Sequence, residues 1–311
     1  MGPQGVAGPI GPAGPAGTGT GASYNARRIA TLSWGVNTTA RFTVGANPVG
    51  VAFDGANMWV SNYSDNTVSK LDVATGAVAG VYQVGAAPIG LAYDGANIWV
   101  ANSDAGNVTK LSAATGIILG AYPAAAYPTG IAFDGANMWV ADGAGSTVSK
   151  LSADTGQLIG SYQVGDAPNG IAFDGSSVWV ANQSSGSVTK LDAATGNATG
   201  TYMVGSMPSA IAFDGANVWV ANYGDGTVSK LDAAAGTEIG TYPAGGSPYS
   251  IVFDGSYIWV TGIVDDTVSK IDAASGALIG TYPVGSYPYS LAFDGANVWV
   301  ANFLGDSVSK L

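Results

Sequence analysis

The chain has 311 residues, a formal net charge of −11 and a composition that is 47% hydrophobic but only 10% charged, which is typical of a β-rich protein and too apolar for a disordered one. Its acidic balance disfavours nucleic acid and anionic membrane surfaces as partners, and no apolar run is long enough to insert into a membrane as a helix. Histidine and cysteine are both absent, which excludes Ser–His triads, His-based zinc sites and thiolate metal sites, so no cofactor is expected.

The chain begins with a glycine-rich segment over residues 1–19. Glycine stands at positions 2, 5, 8, 11, 14 and 17 of "GPQGVAGPIGPAGPAGTG", which gives six Gly-X-Y triplets. Only glycine fits at the axis of a collagen triple helix, so this period predicts a collagen-like segment. The segment resembles the stems of bacterial and phage surface fibres, and that resemblance implies a homotrimer carrying a globular head. A flexible Gly/Pro linker is the alternative.

Residues 20–39 are predicted to form a neck or linker. They contain Arg27, Arg28 and the only tryptophan outside the repeats described below, Trp34. The run "IATLSW" predicts either an extra strand or a trimerising neck, and both alternatives stay open. No segment near the start has the charged and apolar regions of a secretory signal peptide.

Residues 40–311 are built from a 40-residue repeat. Its tryptophans fall at positions 59, 99, 139, 179, 219, 259 and 299. Each unit holds four short apolar runs fenced by turn residues, as in "GIAFDG", "NMWVAD", "STVSKL" and "IGSYQVG" of the third copy. Such short β-branched and aromatic runs exclude helical solenoids and predict four strands per unit. The sequence therefore predicts an all-β, seven-bladed propeller with four-stranded blades.

The last blade is predicted to be closed by the start of the repeat region. The first three strands of the unit occur seven times, but the fourth follows its own blade only six times. The missing copy is "ARFTVG" at Ala40–Gly45, and we expect it to form the outer strand beside the strand that ends at Leu311. This pairing would bury an otherwise exposed edge. Insertion into a neighbouring chain, giving a polymer by strand exchange, is the alternative.

The repeat resembles a known class of propeller sequences. Stretches such as "GIAFDGANMWVAD" and "NTVSKLDVATGAVAGVYQVG" are similar to the YVTN and NHL-type repeats of bacterial surface and sensor proteins. YVTN units carry "NTVSVID" after "VYVAN", and here Lys70 and its equivalents replace the second valine. The resemblance covers residues 40–311 and implies the fold more than an activity.

The two faces of the predicted ring differ in how much the seven copies vary. The "DGAN" and "DAATG" turns on one face are nearly constant, whereas the loops on the other face vary and often carry tyrosine. Exposed tyrosine offers rigid apolar area with a polar tip, which suits glycan and peptide contacts. The candidate ligand-binding residues on this face are Tyr63, Tyr127, Asn169, Tyr223, Tyr249, Tyr287, Tyr289 and Phe303.

The aspartates and lysines of the repeat are expected to be structural. Asp54 and its six equivalents sit in the constant Asp-Gly turn, and Lys70 and its equivalents are expected to lay their stems on the sheet and meet an aspartate or the tryptophan face. Aspartates in the variable loops, such as Asp65 and Asp306, could bind Ca²⁺ through oxygen, but no loop has EF-hand or repeat-in-toxin spacing. No catalytic or metal-binding residue is therefore selected.

These observations predict a non-enzymatic surface protein, or adhesin, of bacterial type. Its propeller head would bind a glycan or a protein through the tyrosine-rich face, and its location would be extracellular or on a cell or spore surface. A purely architectural protein, either a fibre subunit or an amplified or designed repeat without a ligand, is one alternative. A propeller lyase or glycosidase is the other, although propeller lyases use histidine and glutamate, and the chain has no histidine and one glutamate, Glu238.

Overall fold

The structure is a computed structural model that describes residues 39–311. These residues form 28 β-strands and one short 3₁₀ helix, Phe303–Gly305. The strands make seven four-stranded antiparallel sheets, so the predicted seven-bladed propeller is confirmed. No helix among the described residues has both the length and the apolar character needed to cross a membrane. The predicted collagen-like segment and nearly all of the predicted neck lie outside the described residues.

The two inner strands of each blade form a hairpin. The innermost strands are β2 (Pro48–Phe53), β6 (Pro88–Tyr93), β10 (Pro128–Phe133), β14 (Pro168–Phe173), β18 (Pro208–Phe213), β22 (Pro248–Phe253) and β26 (Pro288–Phe293). The second strands are β3 (Asn57–Asn62), β7 (Asn97–Asn102), β11 (Asn137–Asp142), β15 (Ser177–Asn182), β19 (Asn217–Asn222), β23 (Tyr257–Gly262) and β27 (Val298–Asn302). Asp54 closes the first hairpin because its carboxylate accepts hydrogen bonds from the amides of Ala56 and Asn57 at 2.8 and 2.6 Å.

The two outer strands complete each blade. The third strands are β4 (Thr67–Asp72), β8 (Asn107–Ser112), β12 (Thr147–Ser152), β16 (Ser187–Asp192), β20 (Thr227–Asp232), β24 (Thr267–Asp272) and β28 (Ser307–Lys310). The outermost strands are β5 (Val78–Gln83), β9 (Ile118–Pro123), β13 (Leu158–Gln163), β17 (Ala198–Met203), β21 (Glu238–Pro243), β25 (Leu278–Pro283) and, for the last blade, β1 (Ala40–Thr43). The outermost strands are exposed on one face, whereas the second strands are almost wholly buried.

The ring closes as the strand count predicts. Strand β1 pairs antiparallel with β28, with Ala40 opposite Lys310 and Thr43 opposite Ser307. The ring of Phe42 stacks on Trp299 with 5.6 Å between the ring centroids, in the place that a tyrosine takes in the other blades, such as Tyr82 against Trp59. Closure by the chain's own N-terminal strand is therefore confirmed in the monomer.

The hydrophobic core lies between neighbouring blades. One cluster joins Met58, Val60 and Leu71 of the first blade to Trp299 and Val308 of the last blade, and equivalent clusters repeat around the ring. The innermost strands approach each other so closely that a Cβ on Gly50 would lie 2.1 Å from the carbonyl oxygen of Ile89. Glycine occupies this position in the first four blades and lets their innermost strands converge around a central channel.

Among the described residues, the repeated lysine of six blades donates a hydrogen bond to the next blade. Lys150 donates from Nζ to the carbonyl oxygen of Ala193 in the following blade at 2.6 Å, and its ammonium lies 5.0 Å from the ring centroid of Trp139. The predicted contact of the lysine with the tryptophan face is confirmed. The hydrogen-bond partner in these six copies is a backbone carbonyl and not an aspartate side chain, because the Nζ lies against the turn of the neighbouring blade.

Candidate functional site

The variable face is the side of the ring formed by the loops between the outermost strand and the next innermost strand, and by the loops between the second and third strands. Backbone hydrogen bonds hold the two loops of a blade together, as between Tyr63 N and Asn47 O at 3.0 Å. Loop aspartates fix them further: Asp65 accepts from the amide of Ala46 at 2.7 Å and Asp306 from that of Asn47 at 2.9 Å. These aspartates, considered above as calcium ligands, cap loop backbone in this structure.

An aromatic cavity of ≈ 470 Å³ opens on the variable face. We use "aromatic cavity" for the space lined by Val49, Tyr63, Ile89, Tyr127, Tyr287, Tyr289, Phe303 and Leu304. Phe303 is the central side chain of the aromatic lining. Its ring centroid lies 5.8 Å from those of both Tyr287 and Tyr289 and 6.5 Å from that of Tyr63. Blades one, two, three and seven all contribute to its walls.

A second, smaller cavity lies beside the first. We call it the amide-lined cavity; its volume is ≈ 160 Å³ and it is lined by Ile89, Tyr127, Thr129, Gly143, Ala167, Pro168, Asn169, Gln183, Tyr249 and Tyr289. Both side-chain amides in its wall, Asn169 and Gln183, belong to the fourth blade. The two cavities share Ile89, Tyr127 and Tyr289.

A hydrogen-bonded chain of three side chains crosses the mouth of the central channel. The hydroxyl oxygens of Tyr249 and Tyr289 lie 2.7 Å apart, and Asn169 Nδ2 donates to the hydroxyl of Tyr249 at 3.3 Å. Below them the channel encloses ≈ 230 Å³ between the innermost strands of all seven blades. Burial raises the pKa of the Tyr249 and Tyr289 phenols above the usual value, so both hydroxyls keep their protons well into the alkaline range.

Tyr127 separates the two cavities, and a local backbone difference places it there. The residue before the proline has positive φ in the other six copies, at Asn47, Ala87, Ala167, Met207, Ser247 and Tyr287, but Tyr127 does not. Its loop carries Ala125 where the other six copies have glycine. The ring lies close over Gly143, because a Cβ on that glycine would be 3.3 Å from Tyr127 Cδ1.

The electrostatics of the aromatic cavity favour a neutral ligand. Neither cavity has a charged side chain in its lining. Burial raises the pKa of Tyr63, and the neighbouring Tyr127 and Asp104 raise it further. The Tyr63 phenol therefore acts as a protonated hydrogen-bond donor. Among residues 39–311, no three acidic side chains gather into a group suited to a metal ion.

Comparison with known protein families identifies the family to which the chain belongs. The family model described as outer membrane protein assembly factor BamB matches residues 64–282, more than half of the sequence. The chain belongs to this BamB family. No curated protein sequence matches the chain.

Solved structures similar to this BamB-family propeller include three enzymes. Hydrazine synthase of Kuenenia stuttgartiensis aligns with a TM-score of 0.78 and 20% identity, covering 89% of this chain and 98% of that one. A streptogramin B lyase aligns with a TM-score of 0.75 and 21% identity, covering 87% and 96%. Virginiamycin B lyase from Staphylococcus aureus, as its selenomethionine form, aligns at 0.74 and 17%, covering 88% and 98%. At these identities the likeness shows the fold.

Two sequence-based expectations change with these comparisons. The resemblance to YVTN and NHL-type repeats is confirmed for the seven-bladed propeller, and the family shown is that of BamB. The prediction that the chain is not an enzyme is wrong, because the propellers that share its fold include a synthase and two lyases. The reasoning failed because missing histidine removes some catalytic chemistries but leaves those of tyrosine, lysine and aspartate.

The structure distributes the predicted site residues over both cavities. Tyr63, Tyr127, Tyr287, Tyr289 and Phe303 line the aromatic cavity. Asn169 and Tyr249 line the amide-lined cavity together with Tyr127 and Tyr289. Tyr223 is in neither lining, and its ring packs edge-on against Tyr249 with the centroids 6.0 Å apart.

Several lining residues were not among the predicted site residues, including Ile89, Thr129, Leu304 and Gln183. Leu304 lines the aromatic cavity and Gln183 the amide-lined cavity. The selection favoured tyrosine, so it passed over an exposed leucine and a glutamine. The sequence could have identified Gln183 in one way. Gln183 and Asn169 are the only side-chain amides at their two repeat positions, and both belong to the fourth blade.

Proposed function

We propose that this BamB-family propeller binds a neutral, ring-bearing small molecule, such as a glycan or glycoside, in the aromatic cavity. The observation that carries the proposal is a ≈ 470 Å³ concavity walled by five aromatic rings and no charged group. This volume lies in the range of small-molecule sites, which are mostly apolar with a few placed polar groups. Aromatic faces stack on the apolar faces of sugar and carbon rings, and phenol hydroxyls bond to their edges.

The clustering of aromatic side chains supports binding over a purely architectural role. Tyr63, Tyr127 and Phe303 come from the first, third and seventh blades and line one open cavity, whereas side chains that only filled space would leave no such cavity between them. The concave shape supports a small molecule or glycan over a flat protein surface as the ligand. A location in the cell envelope or at the surface is part of the proposal, since the family description names an outer membrane protein.

Chemical conversion of the bound molecule is the second candidate function. It is favoured by the similar propellers, which include a streptogramin B lyase and a virginiamycin B lyase. The groups available for it at the aromatic cavity are the phenols of Tyr63 and Tyr127, with Asp104 close enough to raise the pKa of Tyr63. Binding is the shared requirement of both candidates and is therefore tested first.

The test is ligand-observed NMR and calorimetry on the full chain with phenol, methyl glycosides and phenyl glycosides as probes. We expect phenol and at least one phenyl glycoside to bind. Tyr63→Ser and Phe303→Ser, which introduce the residue of the second blade, Ser103, should each weaken binding about tenfold, which corresponds to ~1.4 kcal/mol. Tyr257→Asn is the control, because it removes an aromatic ring from the opposite face and introduces the residue that other copies carry.

The same samples discriminate between the two candidate functions. Mass spectrometry after long incubation with each bound probe would reveal a product if the protein converts its ligand. Failure of every probe to bind, or binding that both serine variants leave unchanged, would refute the aromatic cavity as the site.

A further inference from the structure

We propose that the amide-lined cavity is a second subsite for the same ligand, and that this ligand joins a hydroxyl- or amide-rich group to an apolar ring. The inference rests on the proposed function, because the ring would occupy the aromatic cavity. It adds the polar half of the ligand and the residues that would select it, Asn169 and Gln183. An aryl glycoside is the simplest molecule of this class.

The first argument is the asymmetry of the ring. The two positions occupied by Asn169 and Gln183 carry no side-chain amide in any other blade. At the position of Asn169 the other copies have Val49, Ile89, Thr129, Ser209, Tyr249 and Tyr289. At the position of Gln183 they have Tyr63, Ser103, Gly143, Tyr223, Ile263 and Phe303. The fourth blade alone therefore presents two amides, and both face one cavity.

The second argument is the hydrogen-bonding capacity that remains in this cavity. Asn169 uses one N–H on Tyr249. Within residues 39–311, neither its carbonyl oxygen nor the side-chain amide of Gln183 has a hydrogen-bond partner, although both residues are partly buried. An amide offers both donors and an acceptor. This combination matches a hydroxyl or amide group, which also donates and accepts.

The third argument is the continuity of the two cavities. They meet at Tyr127, whose ring lies between them, and they share Ile89 and Tyr289. The position of Tyr127 depends on the absence of a side chain at Gly143. A Cβ added there would lie 3.3 Å from Tyr127 Cδ1 and 2.7 Å from Thr129 Cγ2. A molecule that spans the Tyr127 ring would thus place an apolar ring on one side and a smaller polar group on the other.

The experiment compares whole and half ligands by calorimetry on the full chain. The whole probes are phenyl glycosides of glucose, galactose, mannose and N-acetylglucosamine, and the half probes are phenol and the methyl glycosides. Asn169→Thr and Gln183→Ser use residues found at the same positions in the third and second blades, so the blade should fold. Gln163→Met is the matched control, because Gln163 is exposed on an outermost strand and Met203 occupies its position in the next blade.

We expect each amide variant to weaken the best phenyl glycoside about 3- to 10-fold, as the loss of one hydrogen bond would. The affinity for phenol should stay within about twofold in both variants, and the control should change neither. If phenol and the phenyl glycosides bind but the amide variants behave like the control, the subsite is refuted and the aromatic cavity stands. If no probe binds, the proposed function and the subsite both fail.

Discussion

At the scale of single residues, the repeated turn aspartate organises the constant face of the ring. Asp134 accepts hydrogen bonds from the amides of Ala136 and Asn137 at 2.9 and 2.7 Å and from the indole nitrogen of Trp139 at 2.7 Å. Trp139 is fully buried, so the carboxylate satisfies a donor that has no access to water. The predicted structural role of this aspartate is confirmed by the same contacts in the other copies, as between Trp59 and Asp54.

The turn aspartates predict a specific pH dependence. Burial raises the pKa of Asp134, but the hydrogen bonds from Trp139 and the two amides outweigh it and leave the pKa below the ordinary value of 3.8. A lowered pKa in the folded state means that the ionised group stabilises the fold above pH 3.8 and that this stabilisation is lost as the pH falls below it. Asp134→Asn should therefore lower the free energy of unfolding by about 1 kcal/mol at pH 7.

The difference between Asp134→Asn and the natural chain should shrink as the pH falls from 7 to 3, because the stabilisation by the ionised carboxylate is lost progressively below pH 3.8. Urea unfolding at the two pH values measures it. Asp154→Ala is the control, because Asp154 is exposed and five other copies have alanine at its position. An equal difference at pH 3 and pH 7 would show that the charge of Asp134 does not contribute.

At the scale of structural elements, the joint between β1 and β28 is the place where the ring depends on a single strand. Besides its ladder with β28, β1 is held by Phe42 against Trp299 and by the Arg41 guanidinium, which donates to the carbonyl oxygen of Val284. The Phe42 ring also covers Gly76 of the first blade. It therefore bridges the last blade to the first.

Truncation of this ring should loosen the closure. Phe42→Ala removes the stacking and the contact with the first blade, and we expect it to lower the free energy of unfolding by about 2–4 kcal/mol. Amide hydrogen exchange should increase first in β28, which would lose its outer partner. Phe42→Tyr is the control, since tyrosine fills this place in the other blades, and it should change stability by less than about 0.5 kcal/mol. Protection of β28 that survives Phe42→Ala would contradict this role.

Strands were predictable from the sequence, whereas one decisive loop was not. Turn residues flank every apolar run, so the order of the strands follows directly from the sequence. The closing strand predicted at Ala40–Gly45 is found at Ala40–Thr43. The direction of Tyr127 was not predictable, because it follows from a change of φ in one loop out of seven. The only sign of this change in the sequence is Ala125, which stands where the other copies have glycine. The sequence alone does not say in which direction the Tyr127 ring then points.

At the scale of the whole molecule, near-identical blades produce one asymmetric face. The constant contacts, Asp134 with Trp139 and Lys150 with Ala193, recur around the ring and set its shape. The variable positions add the differences, and the closed ring brings Tyr63, Tyr127 and Phe303 from separate blades to one cavity. A repeat-by-repeat comparison predicted which face varies, but the division into two cavities depends on distances across the channel and needed the structure.

The most direct test of the binding proposal is a crystal structure of the full chain with the tightest phenyl glycoside. We predict the phenyl ring against Tyr63 and Phe303 in the aromatic cavity, and the sugar against Asn169 and Gln183 on the other side of Tyr127. Density for the probe on the constant face or along the outermost strands, with both cavities holding only solvent, would contradict the account.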